Sequence, residues 1–557
     1  MVDEEKQTNE ALDASKKYNT VVEEANDYIE HFDILETITN VGNDEVFTPR
    51  KTCDMMLNSL PEEVWHNPLY RWLNPATKNG IFEREIALRL DKGLESVITD
   101  KEKRRKHILQ NMIFAIGQTK FTSNVARRTL YYCSQANRKC DGLKASDGHY
   151  VNGYSIGNGS WFDDEEGNIK TPCTEHKINP RTKKCEFCGI SHDSKYLDAN
   201  QREKYAYEFI HVNKGLSTNV HLSKRFFKGD RNMKFDIIIG NPPYQLNDGG
   251  GTGSSSIPIY NLFVEQAIAL RPKYLSMIIP SRWYAGGKGL DDFRAAMLSD
   301  KHISKLVDFA NSADCFPNQV IAGGVCYFLW ERDYNGDCVV ENRKMNELVS
   351  SSKRNLGQYE VFVRDNNAIS IIDKIIKKKE ITLDNLVYSR NIFNLNSNEQ
   401  GHQEKKPNDL VLYSLNGKSY IEKTKVDDRE HLVNSYKVMM TKAMSGGNKP
   451  SANGDYLVIS NTMRILEPGE VCTETYLCIG NFSNYEEAKN LCDYLKTKFF
   501  RFLLLQALSS INISKEKFLF IPVIDFKVSW NDQKLYEKYG LNNKEIALIE
   551  SVIREMN

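Results

Sequence analysis

The chain has no excess of charge of either sign: 74 lysines and arginines balance 74 aspartates and glutamates over 557 residues. No global field therefore draws the protein to nucleic acid, and any such binding must come from local basic patches. The chain also lacks an apolar run of transmembrane length and a signal peptide at its acidic N-terminus. We therefore expect a cytoplasmic protein with no membrane partner.

Cysteine is scarce, with 12 residues in the whole chain. Without a secretion signal, this usage favours reduced thiols, some of them on a metal, over a disulfide framework. There is also no internal repeat of the period that builds solenoids or propellers. The length exceeds what one core can serve, so we expect two or three domains.

Short apolar strand patterns alternate with amphipathic helix patterns through the first 345 residues. The predicted strands are 70–73, 112–116, 235–240, 274–279, 303–309 and 325–330, and the predicted helices are 81–94, 122–132, 260–270 and 290–298. This alternation predicts an α/β fold with a doubly wound, largely parallel sheet over residues 41–345. Clustered Gly, Asn, Asp and Cys at 133–200 predict an insertion, and residues 1–40 predict a helical extension.

Beyond residue 345 the strand–helix alternation is lost. Short strands, polar loops and one long helix over 485–508 predict a separate α+β domain, residues 346–557. In that helix basic and aromatic residues interleave, as in Lys498-Phe499-Phe500-Arg501, a mixture that suits contacts with phosphates. A solvated basic face explains each of these charges individually just as well.

Asn241-Pro242-Pro243-Tyr244 follows the predicted strand 235–240, and the carboxyl ends of such strands bind ligands in open α/β sheets. The exocyclic amine of adenine is a poor nucleophile because its lone pair is delocalised into the ring. The Asn241 carboxamide oxygen and the Pro242 carbonyl can accept its two hydrogens and hold it facing an electrophile. Tyr244 offers a flat face for a purine, worth roughly 1–3 kcal/mol. The alternative is a tight structural turn, in which Asn and Pro are ordinary.

Four other segments accompany this motif. Phe47-Thr48-Pro49 precedes a helix pattern, and Asn74 to Phe82 joins a strand to a helix. Gly80 in that junction lets the backbone approach a ligand closely. Further along, Gly117 ends the next strand, and Phe316 precedes the last one.

Together these segments resemble the γ-class amino-methyltransferases of DNA, especially the adenine methylases of restriction–modification systems related to type IIG enzymes. The resemblance covers residues 41–345 apart from the insertion, and extends more loosely into the C-terminal part, which in this family is a target-recognition domain. It implies a Rossmann-like methyltransferase sheet and a site-specific DNA adenine-N6 methyltransferase. Such an enzyme binds double-stranded DNA and transfers a methyl group from S-adenosylmethionine to a flipped adenine. Since we find no convincing nuclease signature, cleavage would belong to a separate restriction endonuclease subunit.

The resemblance also implies residue roles. Asn241, Pro242, Pro243 and Tyr244 match the catalytic motif, and Phe316 matches the second aromatic that sandwiches the base. The residues that match the family's cofactor motifs are Phe47, Thr48, Pro49, Asn74, Pro75, Ala76, Gly80, Phe82 and Gly117.

Two positions depart from the family. An acidic residue normally stands where this chain has Asn74, and another follows the second strand, where this chain has Gln118 and Lys120. A neutral amide still accepts hydrogen bonds and lysine does not, so we expect weaker binding of the cofactor. A degenerate methylase that serves as a DNA-recognition module therefore stays an alternative. Protein glutamine methylation, which can use the same four-residue motif, is another.

The insertion carries a compact set of metal ligands, Cys173-x2-His176 and Cys185-x2-Cys188, around an eight-residue loop. This spacing predicts a tetrahedral structural zinc site. His192 follows closely, and Cys133 and Cys140 are alternative ligands. Free cysteines in a polar insertion are the other interpretation.

Overall fold

The structure is a computed structural model. It describes residues 46–132, 166–172, 176–192, 205–211, 233–246, 257–287, 289–317, 319–344, 347–444, 450–451, 453–509 and 511–556. The predicted extension over 1–40 and the candidate ligands Cys133, Cys140 and Cys173 lie outside these ranges. Within them, no helix combines the length and the apolarity that crossing a membrane requires.

A large mixed sheet organises the first part of the molecule. Its region contains β1 (Trp72–Thr77), β2 (Ile113–Gly117), β3 (Ile169–Lys170), β4 (Ile237–Gly240), β5 (Gln245–Leu246), β6 (Ile257–Pro258), β7 (Tyr274–Pro280), β8 (Ile303–Phe309), β9 (Val325–Glu331), β10 (Cys338–Lys344) and β11 (Glu347–Arg354). In the described chain, nine of these pair in the order β11-β10-β8-β9-β7-β4-β1-β2-β3, while β5 and β6 pair with each other. Strands β3, β2, β1, β4 and β7 run parallel, and β9 is antiparallel to both of its neighbours.

Helices cover both faces of this sheet, which is why its central strands are continuously apolar. The helices are α1 (Arg50–Leu57), α2 (Ile81–Gly93), α3 (Lys101–His107), α4 (Lys120–Arg127), α5 (Tyr260–Ala269) and α6 (Asp291–Ser299). Side chains of α1, α2 and α4 pack on one face, and those of α5 and α6 pack on the other. The predicted doubly wound α/β fold is confirmed.

Strand β1 begins and ends later than the apolar pattern predicts. The prediction placed it at 70–73, but the strand runs to Thr77 and is buried throughout. Its pairing with β2 shifts register between Asn74 and Thr77. This bulge accommodates Pro75, which has no backbone N–H to give to the ladder. Asn74 therefore lies in a strand, one residue after the apolar run stops.

The predicted insertion contributes to the sheet that it interrupts. Strand β3 pairs with the edge of β2, and Cys185, Cys188 and Ile190 belong to the same apolar core as Leu73 of β1. A two-residue strand has too few positions to show an alternation, so the sequence pattern gave no sign of it.

The sheet also extends past the predicted boundary at residue 345, because β10 and β11 form an antiparallel hairpin at its edge. Strand β11 is polar and largely exposed, so it carries no apolar alternation. The remaining chain holds two three-stranded sheets and five α-helices among its described residues, a mixture of classes as predicted. These are β12 (Asp409–Ser414), β13 (Gly417–Glu422), β14 (Tyr436–Thr441), β15 (Arg464–Leu466), β16 (Glu470–Cys472), β17 (Tyr476–Phe482), α7 (Ile369–Ile376), α8 (Tyr485–Lys496), α9 (Lys498–Gln506), α10 (Asp532–Tyr539) and α11 (Asn543–Val552).

The long helix predicted over 485–508 is two helices. Thr497 separates them with extended backbone (ψ 150°), and its hydroxyl accepts a hydrogen bond from the Phe500 amide at 3.2 Å. Threonine is a favourable N-cap, and capping stabilises a new helix start over continuation of the old one.

The prediction of phosphate contacts by this segment is wrong for its central residues. Arg501 is 1% exposed, and its guanidinium donates to the carbonyls of Lys496 (3.0 Å) and Arg554 (2.7 Å). The Lys498 ammonium pairs with two carboxylates, each at 2.6 Å. These cations hold the C-terminal helices together. The prediction failed because the alternation of basic and aromatic residues in the sequence does not reveal which side of a helix faces the core.

Candidate active site

Asn241 lies directly after β4 and its side chain is held in one orientation. The residue is 3% exposed. Its Nδ2 donates to the Val46 carbonyl and to the Thr48 hydroxyl, both at 3.1 Å. A carbonyl can only accept, so the NH2 group must face Val46 and the amide cannot be flipped. The buried Oδ1 has no hydrogen-bond partner among the described residues. The motif thus presents one fixed and unused acceptor, with Pro242 and Pro243 buried beside it.

The ends of β4 and β1 are in direct contact. A Cβ at Gly240 would lie 2.5 Å from Asn74 Oδ1, so only glycine fits at that position. The same Oδ1 accepts the Ala76 amide at 3.1 Å, and Asn74 Nδ2 donates to Glu83 Oε1 at 2.9 Å. The predicted catalytic motif and the predicted cofactor loop therefore form one continuous wall.

A cleft opens along this wall and encloses about 210 Å³ of empty space, including solvent at its mouth. Six of the residues predicted from the sequence line it: Thr48, Asn74, Ala76, Gly80, Phe82 and Asn241. The lining also includes Thr77, Lys78, Asn79, Ile81 and Glu83, which the sequence analysis did not single out. The structure thus gathers Thr48, the predicted cofactor loop and Asn241 of the predicted catalytic motif around one cavity.

The other predicted cofactor residues support the cleft from behind. Phe47 is buried, and Pro49 directly precedes α1, where its carbonyl accepts a hydrogen bond from the Cys53 amide. Pro75 is buried within β1. A Cβ at Gly117 would lie 1.8 Å from the Ser123 hydroxyl, so this glycine is needed for close packing against α4.

Gly80 has a packing role beyond the close approach to a ligand that the sequence suggested. Its φ of +82° is a left-handed conformation that glycine adopts without strain. A Cβ there would lie 2.8 Å from the Cα of Ala126 in α4. Gly80 therefore sets both the turn into α2 and the contact between two helices.

Glu83 is a site residue that the sequence analysis missed. It is 1% exposed and lies in the first turn of α2, where the helix dipole favours an anion. Burial raises the pKa of its carboxyl group above the ordinary value. Its Oε2 has no hydrogen-bond partner in the part of the chain that the structure describes. The available signal was an acidic residue inside the apolar start of a helix, directly after the cofactor loop.

The position after β2 offers a buried neutral amide. Gln118 is 0% exposed, and neither side-chain amide atom has a partner within the described ranges. Its backbone N–H donates to the Thr77 carbonyl at 2.9 Å, which ties the end of β2 to the end of β1. Lys120 is exposed at the start of α4.

The two predicted stacking residues differ in their surroundings. Tyr244 is partly exposed, and the amide of Ile259 donates to its carbonyl at 3.2 Å. Burial of its hydroxyl raises the pKa of the phenol well above the ordinary value, and that hydroxyl has no partner among the residues described. Phe316 is 2% exposed within the core on the α1 side of the sheet and does not line the cleft.

The predicted metal ligands fall into a different cluster, away from the cleft. His176, Cys185 and Cys188 come together with His211, and the four ligand atoms lie within 4.8 Å of one another. Cys173 lies outside the described residues, and His192 is not part of this group. His211 was missed because it stands 26 residues after Cys185, beyond any short spacing rule.

The chain matches known proteins in both sequence and structure. The Eco57I restriction-modification methylase family matches residues 111–316. A protein of Mycoplasma pneumoniae (strain ATCC 29342 / M129 / Subtype 1), described as an uncharacterized adenine-specific methylase, is 47% identical over 337 residues. The match covers 58% of this chain and 76% of that protein.

Among solved structures, the Type IIL restriction-modification enzyme MmeI in complex with DNA aligns with a TM-score of 0.43 and 10% identity. The alignment covers 84% of this chain and 65% of that one. A nuclease-deletion mutant of the Type ISP enzyme LlaGI with a DNA substrate mimic also gives 0.43 and 10%, covering 86% and 46%. The chain thus spans about half to two thirds of these solved chains. From the identity and coverage of its M. pneumoniae relative, the chain belongs to the family of adenine-specific restriction–modification methylases.

Proposed function

We propose that this chain is a site-specific DNA methyltransferase that methylates the exocyclic N6 of an adenine flipped out of the duplex. One observation carries the proposal, namely the buried and unpaired Oδ1 of Asn241 at the end of β4. Leaving a buried acceptor without a partner costs roughly 1–3 kcal/mol. Two hydrogen bonds from Nδ2 nevertheless hold it in that state. Such an atom is accounted for when a substrate N–H completes its bonding.

The adenine amine carries two hydrogens, and the turn after β4 supplies two acceptors. Asn241 Oδ1 takes one hydrogen and the backbone carbonyl of Pro242 takes the other. Both groups are neutral, so they orient the amine and localise its lone pair without removing a proton beforehand. No covalent enzyme intermediate is needed. Burial raises the pKa of the nearby Cys53 and Cys315 thiols, so they remain protonated and unreactive.

The residues along the cleft fit S-adenosylmethionine. When bound, this cofactor supplies an electrophilic methyl group on a positively charged sulfur. Glu83 Oε2 can accept from the cofactor's ammonium group, and the buried Gln118 amide can accept from a ribose hydroxyl. The carboxylate that the family normally carries where this chain has Asn74 is thus replaced by one from the adjacent helix. Thr48 and the Phe47–Pro49 segment hold the methionine portion in this proposal.

Tyr244 provides the surface on which the extruded base stacks. Its ring is partly exposed while its hydroxyl is buried, so the ring face is what it offers to a ligand. Phe316 would complete the sandwich on the other side of the base. Its burial means that a base must reach the edge of the core to touch it.

Double-stranded DNA is the proposed macromolecular substrate, with the region after residue 354 reading the target sequence. The chain would act as the modification component of a restriction system, alongside a separate endonuclease. Location in the cytoplasm follows from that role and remains a prediction.

The test is expression of the full chain in a host without DNA methyltransferases, followed by single-molecule sequencing of the host DNA. We expect N6-methyladenine in one short sequence motif, and none in cells that express Asn241→Ala at the same level. Purified protein should also bind S-adenosylmethionine in calorimetry. Modified cytosine in place of adenine, or no modified base despite cofactor binding, would overturn the proposed reaction. DNA binding without any cofactor binding would indicate a recognition module instead.

A further inference from the structure

We propose that His176, Cys185, Cys188 and His211 bind one Zn²⁺ ion, and that this ion fastens the chain between β3 and β4 onto the sheet. The site is separate from the methyl-transfer cleft and does not depend on the proposed reaction. One ligand differs from the set that the sequence spacing suggested, because a second histidine, His211, takes the place of Cys173.

The distances fit a tetrahedral ion. With Zn–S near 2.3 Å and Zn–N near 2.0–2.1 Å, a tetrahedron places sulfur and nitrogen ligands about 3.6 Å apart. Cys188 Sγ lies 3.5 Å from His176 Nδ1, and Cys185 Sγ lies 4.0 Å from His211 Nε2. The two imidazole rings are nearly perpendicular, at 83°, with centroids 4.8 Å apart, so their ring nitrogens can converge without the rings clashing. Two thiolates also neutralise the charge of the ion.

The backbone around the cysteines has the form of a metal-binding knuckle. The Gly189 amide donates to the Cys185 carbonyl at 3.0 Å, and the Cys185 amide donates to the Ile190 carbonyl at 2.8 Å. Gly189 has a φ of +74°, which turns the chain so that both sulfurs point to the same side. A second hairpin contact joins Ile178 to Cys185 and brings His176 alongside.

His211 comes from a different element. It directly follows a 3-10 helix, Tyr205–Ile210, and its ring stacks on Phe187 at a centroid distance of 5.4 Å. Ala206, Phe209 and Ile210 of this helix pack in the same core as Leu73 of β1 and Phe114 of β2. An ion shared by the knuckle and His211 therefore joins two short segments that lie over the sheet.

The segments that the ion would join are short. Between β3 and β4 they are the knuckle and the six-residue 3-10 helix Tyr205–Ile210. Neither segment is long enough to be stable by itself. A bound ion supplies stability that such small units cannot obtain from a core of their own.

The experiment measures zinc in the purified full chain by inductively coupled plasma mass spectrometry, after exposure to excess zinc and removal of the unbound ion. We expect one ion per chain. His211→Ala should weaken zinc affinity by more than about 100-fold, since a lost ligand costs more than a lost outer contact. His192→Ala is the matched control and should retain the ion, as should Cys173→Ser. Chelation of zinc from the wild-type protein should lower its melting temperature.

Cobalt substitution of the wild-type protein provides a readout that does not depend on the folding of any variant. The Co²⁺-substituted wild-type protein should show tetrahedral ligand-field absorption and thiolate charge transfer. The charge transfer should be unchanged in Cys173→Ser. Loss of intensity in that variant, or full zinc retention by His211→Ala, would overturn the ligand set. A wild-type protein that binds neither ion would overturn the site altogether.

Discussion

The ends of β4 and β1 lie side by side, yet they present their polar groups in opposite ways. At β4, Asn241 donates both of its hydrogens to the protein and leaves its own oxygen open. At β1, both ends of the Asn74 amide are used within the protein, and the open oxygen belongs to Glu83 in the adjoining helix. The open oxygen at β4 thus belongs to the four-residue motif itself. The open oxygen at β1 belongs instead to a residue of the next helix, which Asn74 contacts through a hydrogen bond. The polar group at the end of one strand can therefore come from the local motif, and at the end of the next strand from a neighbouring element.

The largest effect is expected from Asn241→Ala, which removes the open acceptor at β4. Loss of one positioned hydrogen-bonding group at a reacting atom typically costs about 10²–10³-fold in rate. We expect kcat for methyl transfer to fall by at least about 100-fold, while the binding of S-adenosylmethionine changes little. A filter assay with labelled cofactor measures the rate, and calorimetry measures the binding.

Thr48→Val tests whether the orientation of Asn241 matters as well as its presence. The substitution removes one of the two acceptors for Nδ2, worth about 1 kcal/mol, and should reduce kcat roughly five-fold. Thr52→Val is the matched control: its hydroxyl bonds to the Cys315 carbonyl at 3.0 Å, not to Asn241. If Asn241→Ala retains wild-type kcat, the end of β4 is only a structural turn and the comparison fails.

Substitutions at Tyr244 should reduce methyl transfer less than Asn241→Ala does, and the size of the loss should depend on whether the aromatic ring is kept. Tyr244→Ala removes the stacking face, worth about 1–3 kcal/mol, or roughly 5- to 150-fold in kcat/KM for DNA. Tyr244→Phe should be close to wild type, because the hydroxyl has no hydrogen-bond partner among described residues. Fluorescence of 2-aminopurine at the target position reports base extrusion directly. Equal losses in both variants would show that the hydroxyl, not the ring face, is the functional group.

The same contrast explains what the sequence could and could not predict. The sheet and its flanking helices followed from apolar patterns that depend on neighbouring residues. A catalytic motif could be predicted at Asn241 to Tyr244 because these residues are consecutive and follow a strong strand pattern. Strand β3 could not be predicted, because it has two residues and owes its place to β2. Edge strand β11 was missed because exposed strands need no apolar residues.

The two residues that the sequence analysis missed are both placed by side-chain contacts between different elements. Glu83 in α2 contacts Asn74 of β1, nine residues earlier, and His211 contacts Cys185, 26 residues earlier. Spacing rules describe ligands that the chain supplies locally. They do not reach a group that folding brings in from another element. The departure at Asn74 was visible in the sequence, but the hydrogen bond that places the Glu83 carboxylate beside it was not.

Glu83→Gln should change the binding of S-adenosylmethionine and leave kcat nearly unchanged, and it tests the proposed contact of Glu83 with the cofactor. Replacing a charge-assisted hydrogen bond by a neutral one should weaken S-adenosylmethionine binding by roughly ten-fold, since charge-assisted bonds are about twice as strong. Calorimetry measures this directly. Glu85→Gln is the matched control on the same helix, because the Glu85 carboxylate is paired with Arg84 at 2.8 Å and does not line the cleft. It should change cofactor affinity little.

The stabilities of the two variants should move in opposite directions. Burial raises the folded-state pKa of Glu83, so its favourable contribution exists at pH below its unfolded pKa and is lost as pH rises through the folded pKa. At pH values above the folded-state pKa the ionised carboxylate destabilises the ligand-free protein, so Glu83→Gln should raise the melting temperature there. Glu85→Gln removes the carboxylate that pairs with the buried Arg84 at 2.8 Å and should lower the melting temperature. A cationic cofactor offsets the penalty at Glu83, so the wild type should gain more thermal stability from S-adenosylmethionine than Glu83→Gln does. If S-adenosylmethionine raises the melting temperatures of the wild type and of Glu83→Gln equally, Glu83 does not face the cofactor. The residues at the end of β1 would then bind the cofactor through neutral groups alone.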